Sequence, residues 1–194
     1  DSAVKTELEM ALYFYVAPLL KQAKIIAWSR LKQMVAPLVP FGAVIINESE
    51  LFVKFPHNNS IIRIYGADNP DGMRGVRLDG CVLDEVAQFK PEVWEDIIQP
   101  ALSDRLGWAW FIGTPKGINL FSKLYFAAKG RDDWGRALYT VYQTDALDSV
   151  EVDRLKSEMS EEAFNREFMC DFAAGGESQL ISLTDCHTAA DRLY

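Results

Sequence analysis

The sequence has few of the residues that build disulfide frameworks, metal clusters or membrane spans. It contains three cysteines, which cannot all pair with one another, and two histidines, neither of which has a Cys or acid at zinc-ligand spacing. The longest uncharged apolar run, from Met10 to Leu20, is interrupted by Pro18 and is too short to cross a bilayer. No secretory signal pattern opens the chain. These features predict a protein of a reducing, cytosolic compartment with no membrane crossing.

Positive charge is also scarce. The 194 residues include 20 Lys and Arg against 28 Asp and Glu, which gives a formal net charge of −8. This balance argues against a protein that coats nucleic acid with a basic face, although it is compatible with a local contact to phosphate. The content of hydrophobic residues, 49%, suits one globular domain with a real core. Because the chain starts without Met and its end resembles the middle of a helix, we interpret it as part of a longer protein.

Apolar strands alternate with helical segments along the chain. The hydrophobic pattern and the turn-forming residues predict, in chain order, a helix over 4–12, a strand over 13–17, a helix over 18–38, a hairpin over 51–65, a strand over 81–85, a helix over 91–104 interrupted at Pro100, a strand over 108–113, a helix over 118–130, a strand over 137–144 and one or two helices over 149–172. The strands are apolar without strict alternation, which is typical of an α/β domain with a mainly parallel sheet. Trp108 and Trp110 are predicted to pack in the core and on the sheet face.

Polar residues follow two of these strands. Asp84 and Glu85 end the apolar run that starts at Cys81, and Thr114 follows Gly113 at the end of another strand. Ligands of parallel α/β sheets bind at the carboxyl ends of strands. We therefore expect these two strand ends to converge on one crevice.

The adjacent carboxylates Asp84 and Glu85 have two interpretations. In a nucleotide hydrolase, the first carboxylate holds Mg²⁺, usually through water, and the second polarises the attacking water. Alternatively, the strand simply ends at the surface in two solvated acids. The residues of the "VLDE" run do not decide between these alternatives.

The neighbouring segments favour the first interpretation. The pieces "YVAPLLKQAKIIAW", "DNPDGMRGVRLDGCVLDE", "FIGTPKG" and "FNREFMCDF" occur in this order between about Tyr13 and Phe172. As a set, they resemble the large terminase subunits of tailed bacteriophages, the ATPase motors that package DNA. The resemblance implies a P-loop NTPase fold of the ASCE or RecA-like kind, with three layers, a mainly parallel central sheet and a β-hairpin insertion.

The resemblance also implies roles for four residues. Asp84 corresponds to the Walker B aspartate that holds Mg²⁺, and Glu85 to the catalytic glutamate. Thr114 falls in the coupling motif that senses the γ-phosphate, with a hydroxyl that caps the next segment as the structural alternative. Arg74 corresponds to an arginine that, in some members, reaches into a neighbouring subunit's site. The alternative for Arg74 is a loop arginine paired with Asp71 or Asp79.

The chain departs from the family at both ends. No phosphate-binding loop of the form G-x-x-x-x-G-K followed by Ser or Thr occurs in the 194 residues, so no cofactor-binding lysine is assigned and Lys5 is not a substitute. We expect residues 1–174 to be an ATPase motor domain without its Walker A segment. Residues 175–194 are predicted to be a linker toward a nuclease domain that the sequence does not contain.

The resemblance implies ATP and Mg²⁺ as cofactors. It implies double-stranded DNA, a portal protein, a small terminase subunit and a homo-oligomeric ring as partners, in the host cytoplasm at the procapsid portal vertex. Without its phosphate loop, the chain alone is expected to be inactive. Two alternatives stay open: another P-loop nucleic-acid motor such as a helicase, and a non-catalytic nucleotide-binding assembly module.

Overall fold

The computed structural model describes residues 10–144 and 146–174. Within these ranges, six strands form one sheet: β1 (Leu12–Ala17), β2 (Ile45–Asn47), β3 (Phe52–Phe55), β4 (Ser60–Gly66), β5 (Gly80–Leu83) and β6 (Trp108–Phe111). Their order across the sheet is β2-β3-β4-β1-β5-β6. The four strands β4, β1, β5 and β6 pair in parallel, whereas β2, β3 and β4 pair antiparallel. This arrangement confirms the mainly parallel α/β sheet and the hairpin.

Helices connect these strands. The helical segments are α1 (Leu20–Ala23), a π-helical stretch (Lys24–Trp28), α2 (Ser29–Val35), a second π-helical stretch (Val93–Ile98), α3 (Gln99–Ser103), α4 (Leu120–Ala127), α5 (Ser149–Glu158) and α6 (Glu161–Phe168), with short 3₁₀ turns at Ala36–Phe41, Pro70–Met73, Val86–Gln88 and Val141–Gln143. None of the helices in the described ranges is both long enough and apolar enough to span a membrane.

The sheet is covered on both faces. On one face, Tyr13 and Ile64 pack in a core cluster with Ala23 and Trp28 of the helical segment that starts at α1. On the other face, the Trp94 ring meets the Phe111 ring edge-on at 4.7 Å between centroids. Because successive residues of a strand alternate between faces, β1 supplies side chains to both layers. The three-layer arrangement that the sequence implies is therefore present.

The strand β6 lies at one edge of the sheet, where it pairs with β5 alone among the described strands. Trp108 contacts the Tyr13 ring at 6.1 Å between centroids and is 40% exposed, and Trp110 is 67% exposed. The prediction of core packing is wrong for Trp110. An edge strand has a neighbour on one side only, so its large side chains are covered less completely than those of central strands.

The chain folds into two compact units, Asp1–Ile112 and Gly113–Tyr194. In the second unit, the Phe172 ring stacks on the Tyr125 ring with 4.9 Å between centroids, and it also contacts the rings of Phe121 and Phe126. The helices α5 and α6 begin at side-chain caps from Asp148 and Ser160, whose oxygens accept backbone N–H bonds. Of the predicted alternatives, one helix or two, the structure has two in this region.

Three predicted details are wrong or lie outside the described residues. Most of the predicted helix over 4–12 is outside the described part, and its last residue, Leu12, begins β1 instead. The helix is not broken at Pro100: the π-helical stretch Val93–Ile98 passes directly into α3, and the proline is the second residue of α3. The segment 137–144, predicted to be a strand, is irregular and contains one 3₁₀ turn. The Thr140 N–H donates to the Gln143 side chain, three residues later, instead of to a neighbouring strand.

Candidate functional site

The candidate site is the carboxyl end of β5. The sheet ladder continues one residue past the strand, because the Asp84 N–H donates to the Val16 carbonyl of β1 at 2.8 Å. On the other side, the Ile112 N–H donates to the Leu83 carbonyl at 2.9 Å. The backbone of Asp84 is therefore held at the point where β1, β5 and β6 all end, as expected for a ligand site of a parallel sheet.

The backbone changes direction at Glu85. This residue has φ 56° and ψ 43°, in the left-handed region that non-glycine residues seldom adopt. The turn leads directly into the 3₁₀ segment Val86–Gln88, and the Val86 N–H donates to the Ile112 carbonyl at 3.2 Å. Strained backbone conformations of this kind cluster at active sites. The turn separates the Glu85 side chain from the ladder that holds Asp84.

Gln88 contacts the candidate catalytic glutamate. Its side-chain Nε2 donates to Glu85 Oε2 at 3.4 Å, and its backbone N–H donates to the Glu85 carbonyl at 2.9 Å. The longer of these contacts is weak by ordinary hydrogen-bond geometry. Glu85 is half-buried, so its carboxylate keeps access to solvent and to a small ligand.

Asp84 is joined to a second residue that the sequence did not reveal. The Tyr15 hydroxyl, from the neighbouring strand β1, donates to Asp84 Oδ2. Burial raises the pKa of the Tyr15 hydroxyl, and the hydrogen bond and the negative charge of Asp84 raise it further. The hydroxyl is consequently a proton donor at neutral pH. Only the register of β1 against β5 brings these two residues together.

The carboxylate suits a magnesium ion that keeps most of its water. Mg²⁺ is commonly bound by one or two carboxylates together with phosphate oxygens and water, rather than by a cage of protein ligands. The part of the chain that the structure describes has no group of three or more His, Cys, Asp or Glu side chains placed to hold a metal ion among them. With Oδ2 of Asp84 occupied by Tyr15, Oδ1 accepts no hydrogen bond from any residue in the described ranges. The donor set fits an ion of this kind.

Arg74 is not part of this site within the chain. Its Nε donates to Asp71 Oδ1 at 3.2 Å, and both side chains are more than half exposed. It lines a cavity of about 300 Å³ with Arg77, Asp96 and Asp104 among other residues. Asp79, the other predicted partner, lies instead 3.8 Å from Arg105. The structure thus places Arg74 in an exposed, weakly held pair.

Thr114 lies at the start of the second compact unit, just after the Ile112 that bonds to Leu83 and Val86. Its predicted role, and those of Asp84, Glu85 and Arg74, stay predictions. The strand that precedes Asp84 and Glu85, β5, and the strand that precedes Thr114, β6, are direct parallel neighbours, with Leu83 opposite Phe111.

Relatives of the chain were found in sequence and in structure. No protein-family model matches it. A segment of 59 residues, 30% of the chain, is 49% identical to the large terminase subunits of Thermus phage G20c and Thermus virus P23-45. This segment spans 12% of the length of those curated relatives.

Solved structures match over most of the chain. The large terminase ATPase domain of Thermus phage P74-26 superposes with a TM-score of 0.74 at 25% identity, over 84% of this chain and 77% of that one. The large terminase of another thermophilic bacteriophage, solved in complex with ADP, gives a TM-score of 0.67 at 15% identity, over 86% of this chain and 41% of that one. The HK97 bacteriophage large terminase gives a TM-score of 0.60 at 19% identity, over 82% of this chain and 36% of that one.

Proposed function

We propose that this chain, a relative of the bacteriophage large terminase subunits with the fold of their ATPase domain, hydrolyses ATP in the full-length protein to drive double-stranded viral DNA into a procapsid. The observation that carries the proposal is the Asp84 and Glu85 pair at the carboxyl end of β5. The first of these residues is fixed by β1, and the second is set apart by a left-handed turn. One large terminase of the same fold has been solved with ADP, which supports a nucleotide site on this fold.

The two carboxylates have separate roles in this mechanism. Asp84 would hold Mg²⁺, and the bound ion supplies positive charge to the phosphates. Glu85 orients the attacking water and accepts its proton while the water oxygen bonds to the γ-phosphorus and the bond to the β-phosphate oxygen breaks. Because the turn at Glu85 takes the chain out of the ladder, its side chain is not committed to the contact that holds Asp84.

Arg74 and Thr114 complete the proposed machinery. Arg74 acts in the site of a neighbouring subunit, where its planar, permanently charged guanidinium pairs with phosphate oxygens. The exposure of its pair with Asp71 makes this possible, since an exposed ion pair is worth only about 0–1 kcal/mol and is easily exchanged for another. Thr114 senses the γ-phosphate after β6 and relays hydrolysis to domain movement.

One part of this machinery is missing from the chain. A phosphate loop with a lysine has to come from elsewhere in the full-length protein, because the 194 residues contain none. We therefore expect no ATP turnover from this chain alone. We assign nuclease activity to a separate domain, not to any of these residues.

The proposed partners follow from the packaging function. They are double-stranded DNA, a portal protein, a small terminase subunit and further copies of the protein in a ring, and the place of action is the portal vertex of the procapsid in the host cytoplasm. A ring is required by the role proposed for Arg74, since its target is a neighbour's site. Contacts to DNA should weaken as salt rises, because phosphate binding releases counterions.

Substitution of Glu85 in the full-length protein tests this function. Glu85→Gln should lower the ATPase rate by about 10²–10⁴-fold, the usual contribution of a positioned acid or base, while ATP binding is retained. The control is Glu95→Gln, an exposed glutamate in the π-helical stretch Val93–Ile98, which should leave the rate unchanged. Unaltered turnover in Glu85→Gln would show that the mechanism is wrong and would favour a non-catalytic assembly module.

A further inference from the structure

The Tyr15 side chain connects the core of the protein to the candidate site. Its ring packs against the buried cluster formed by β1 and the helical segment that follows it. Its hydroxyl lies at the end of that ring and donates to Asp84 Oδ2. Packing against the core holds the apolar Tyr15 ring in one position. The hydroxyl on that ring is therefore held in place as well, and it can hold the carboxylate to which it donates.

The register of the sheet explains why Tyr15 and not another residue makes this contact. Tyr15 lies opposite Val82 in the parallel pair of β1 and β5. Side chains alternate between faces, so Val82 and Asp84 lie on the same face as Tyr15. The Asp84 N–H meanwhile donates to the carbonyl of Val16, the residue after Tyr15. One strand therefore holds both the backbone and the carboxylate of Asp84.

We propose that Tyr15 is a positioning residue for magnesium: its hydroxyl fixes the Asp84 carboxylate through Oδ2 and leaves Oδ1 for the hydrated ion. This inference rests on the proposed function, because it assumes that Asp84 binds Mg²⁺. A free aspartate side chain samples several rotamers, and any rotamer but one misplaces the oxygen that the ion requires. The hydrogen bond removes this freedom before the ion arrives, so less free energy is lost on binding.

The expected size of the effect follows from metal sites in general. Loss of a hydrogen-bonding partner of a metal ligand typically weakens metal binding by about 10- to 100-fold. Tyr15→Phe removes the hydroxyl and keeps the ring, so the packing against the core cluster is retained. Tyr13→Phe is the matched control, because Tyr13 lies two residues earlier on the same strand and face, and its ring contacts Trp108.

The test measures metal binding directly. Mn²⁺ replaces Mg²⁺ as a paramagnetic probe, and its dissociation constant is measured by electron paramagnetic resonance in the full-length protein with ADP present. We expect Tyr15→Phe to weaken Mn²⁺ binding by about 10- to 100-fold, with Tyr13→Phe like the wild type and with metal-free ADP binding unchanged. Equal Mn²⁺ affinity in Tyr15→Phe and the wild type would overturn the inference.

Asp84→Asn distinguishes this inference from the function on which it rests. If Asp84→Asn loses Mn²⁺ and Tyr15→Phe does not, the positioning role alone is wrong. If Asp84→Asn keeps full Mn²⁺ affinity, the proposed role of Asp84 is wrong as well. A second measurement does not depend on the metal affinity of Tyr15→Phe, which serves only to assign the signal. With 3-fluorotyrosine incorporated, the ¹⁹F signal that is absent from Tyr15→Phe should shift on addition of Mg²⁺ and ADP, but not in Asp84→Asn. No shift in the wild-type background would contradict the positioning role.

Discussion

Arg74 donates from Nε to Asp71 Oδ1 at 3.2 Å, three residues earlier in the same loop. The pair is the structural alternative that the sequence offered for this arginine, yet both side chains are exposed, so the contact contributes little to stability. The two interpretations differ in what they require. A loop pair requires only Asp71, whereas a role in catalysis requires a second subunit.

Mixed rings separate these interpretations. We expect Arg74→Ala to lower the ATPase rate of the assembled full-length protein by about 10³-fold or more, as for other arginines that act between subunits, and Asp71→Asn to leave it unchanged. Mixing Arg74→Ala with Glu85→Gln subunits should restore part of the activity, because each supplies what the other lacks. If the mixture stays as inactive as its components, Arg74 does not act on a neighbour. The measurement is phosphate release at a fixed total subunit concentration.

The left-handed backbone at Glu85 predicts an unusual order of stabilities. An L-residue in this region is strained by roughly 1–2 kcal/mol relative to glycine, and φ at Glu85 is 56°. Glu85→Gly should therefore have a higher free energy of unfolding than Glu85→Ala, by about 1 kcal/mol, although both lack the carboxylate and should be inactive. Urea unfolding measures the difference.

Gln88 provides the control for this comparison, since it lies in the adjacent 3₁₀ segment and is not among the positive-φ residues. There the order should reverse, with Gln88→Gly less stable than Gln88→Ala, because glycine loses more backbone entropy on folding. The same order at both positions would mean that the turn at Glu85 is not strained.

The buried thiol of Cys81 predicts a decline of stability in alkali. Burial raises the pKa of the Cys81 thiol above its ordinary value. The folded protein keeps its proton while the unfolded chain loses it above about pH 8.5. The unfolding free energy is therefore unaffected by this group below that pH and falls as pH rises above it, by at most about 1.4 kcal/mol per pH unit.

Unfolding in urea at pH 7, 9 and 10 measures this effect, and Cys81→Ala should decline less steeply than the wild type. Cys170, which is only partly buried and donates to the Tyr139 carbonyl at 3.3 Å, serves for comparison. Cys170→Ala should change the slope of the unfolding free energy against pH less than Cys81→Ala does. Identical slopes in Cys81→Ala and the wild type would show that this thiol ionises in the folded protein as it does in the unfolded chain.

A close backbone approach makes Gly66 intolerant of any side chain. A Cβ atom there would lie 2.3 Å from the Leu20 nitrogen, at the start of α1, and the same nitrogen donates to Asp68 Oδ1 at 3.1 Å. We expect Gly66→Ala to lower the free energy of unfolding by about 1–3 kcal/mol, the usual cost of overpacking. At Gly72 the nearest atom would be 3.4 Å away, so Gly72→Ala is the control and should change stability little. Thermal and urea unfolding of both variants measure the difference.

The fold was largely predictable from the sequence because its strands are apolar runs bounded by turn formers. β1, the β3–β4 hairpin, β5 and β6 all follow such runs. The error at 137–144 has the same origin: the segment has strand-like composition, but none of the described strands pairs with it. Strand propensity describes fit to a sheet surface and cannot supply the partner.

The candidate site was predictable only in part. Asp84 and Glu85 could be found because they follow one apolar run directly. Tyr15 could not, since it is 69 positions from Asp84 in sequence, and its contact depends on a strand register that a one-residue slip would abolish. The left-handed backbone conformation at Glu85 could not be predicted from the sequence either, because glutamate has no preference for that region.

The edge strand β6 has a consequence for handling the protein. Among the described strands, β6 pairs with β5 alone, and the indole of Trp110 on this strand is 67% exposed. Exposed edges of this kind act as templates for strands of other molecules. Concentrated solutions of this chain should therefore associate through Trp108–Phe111, and Trp110→Lys is the substitution we expect to keep it monomeric.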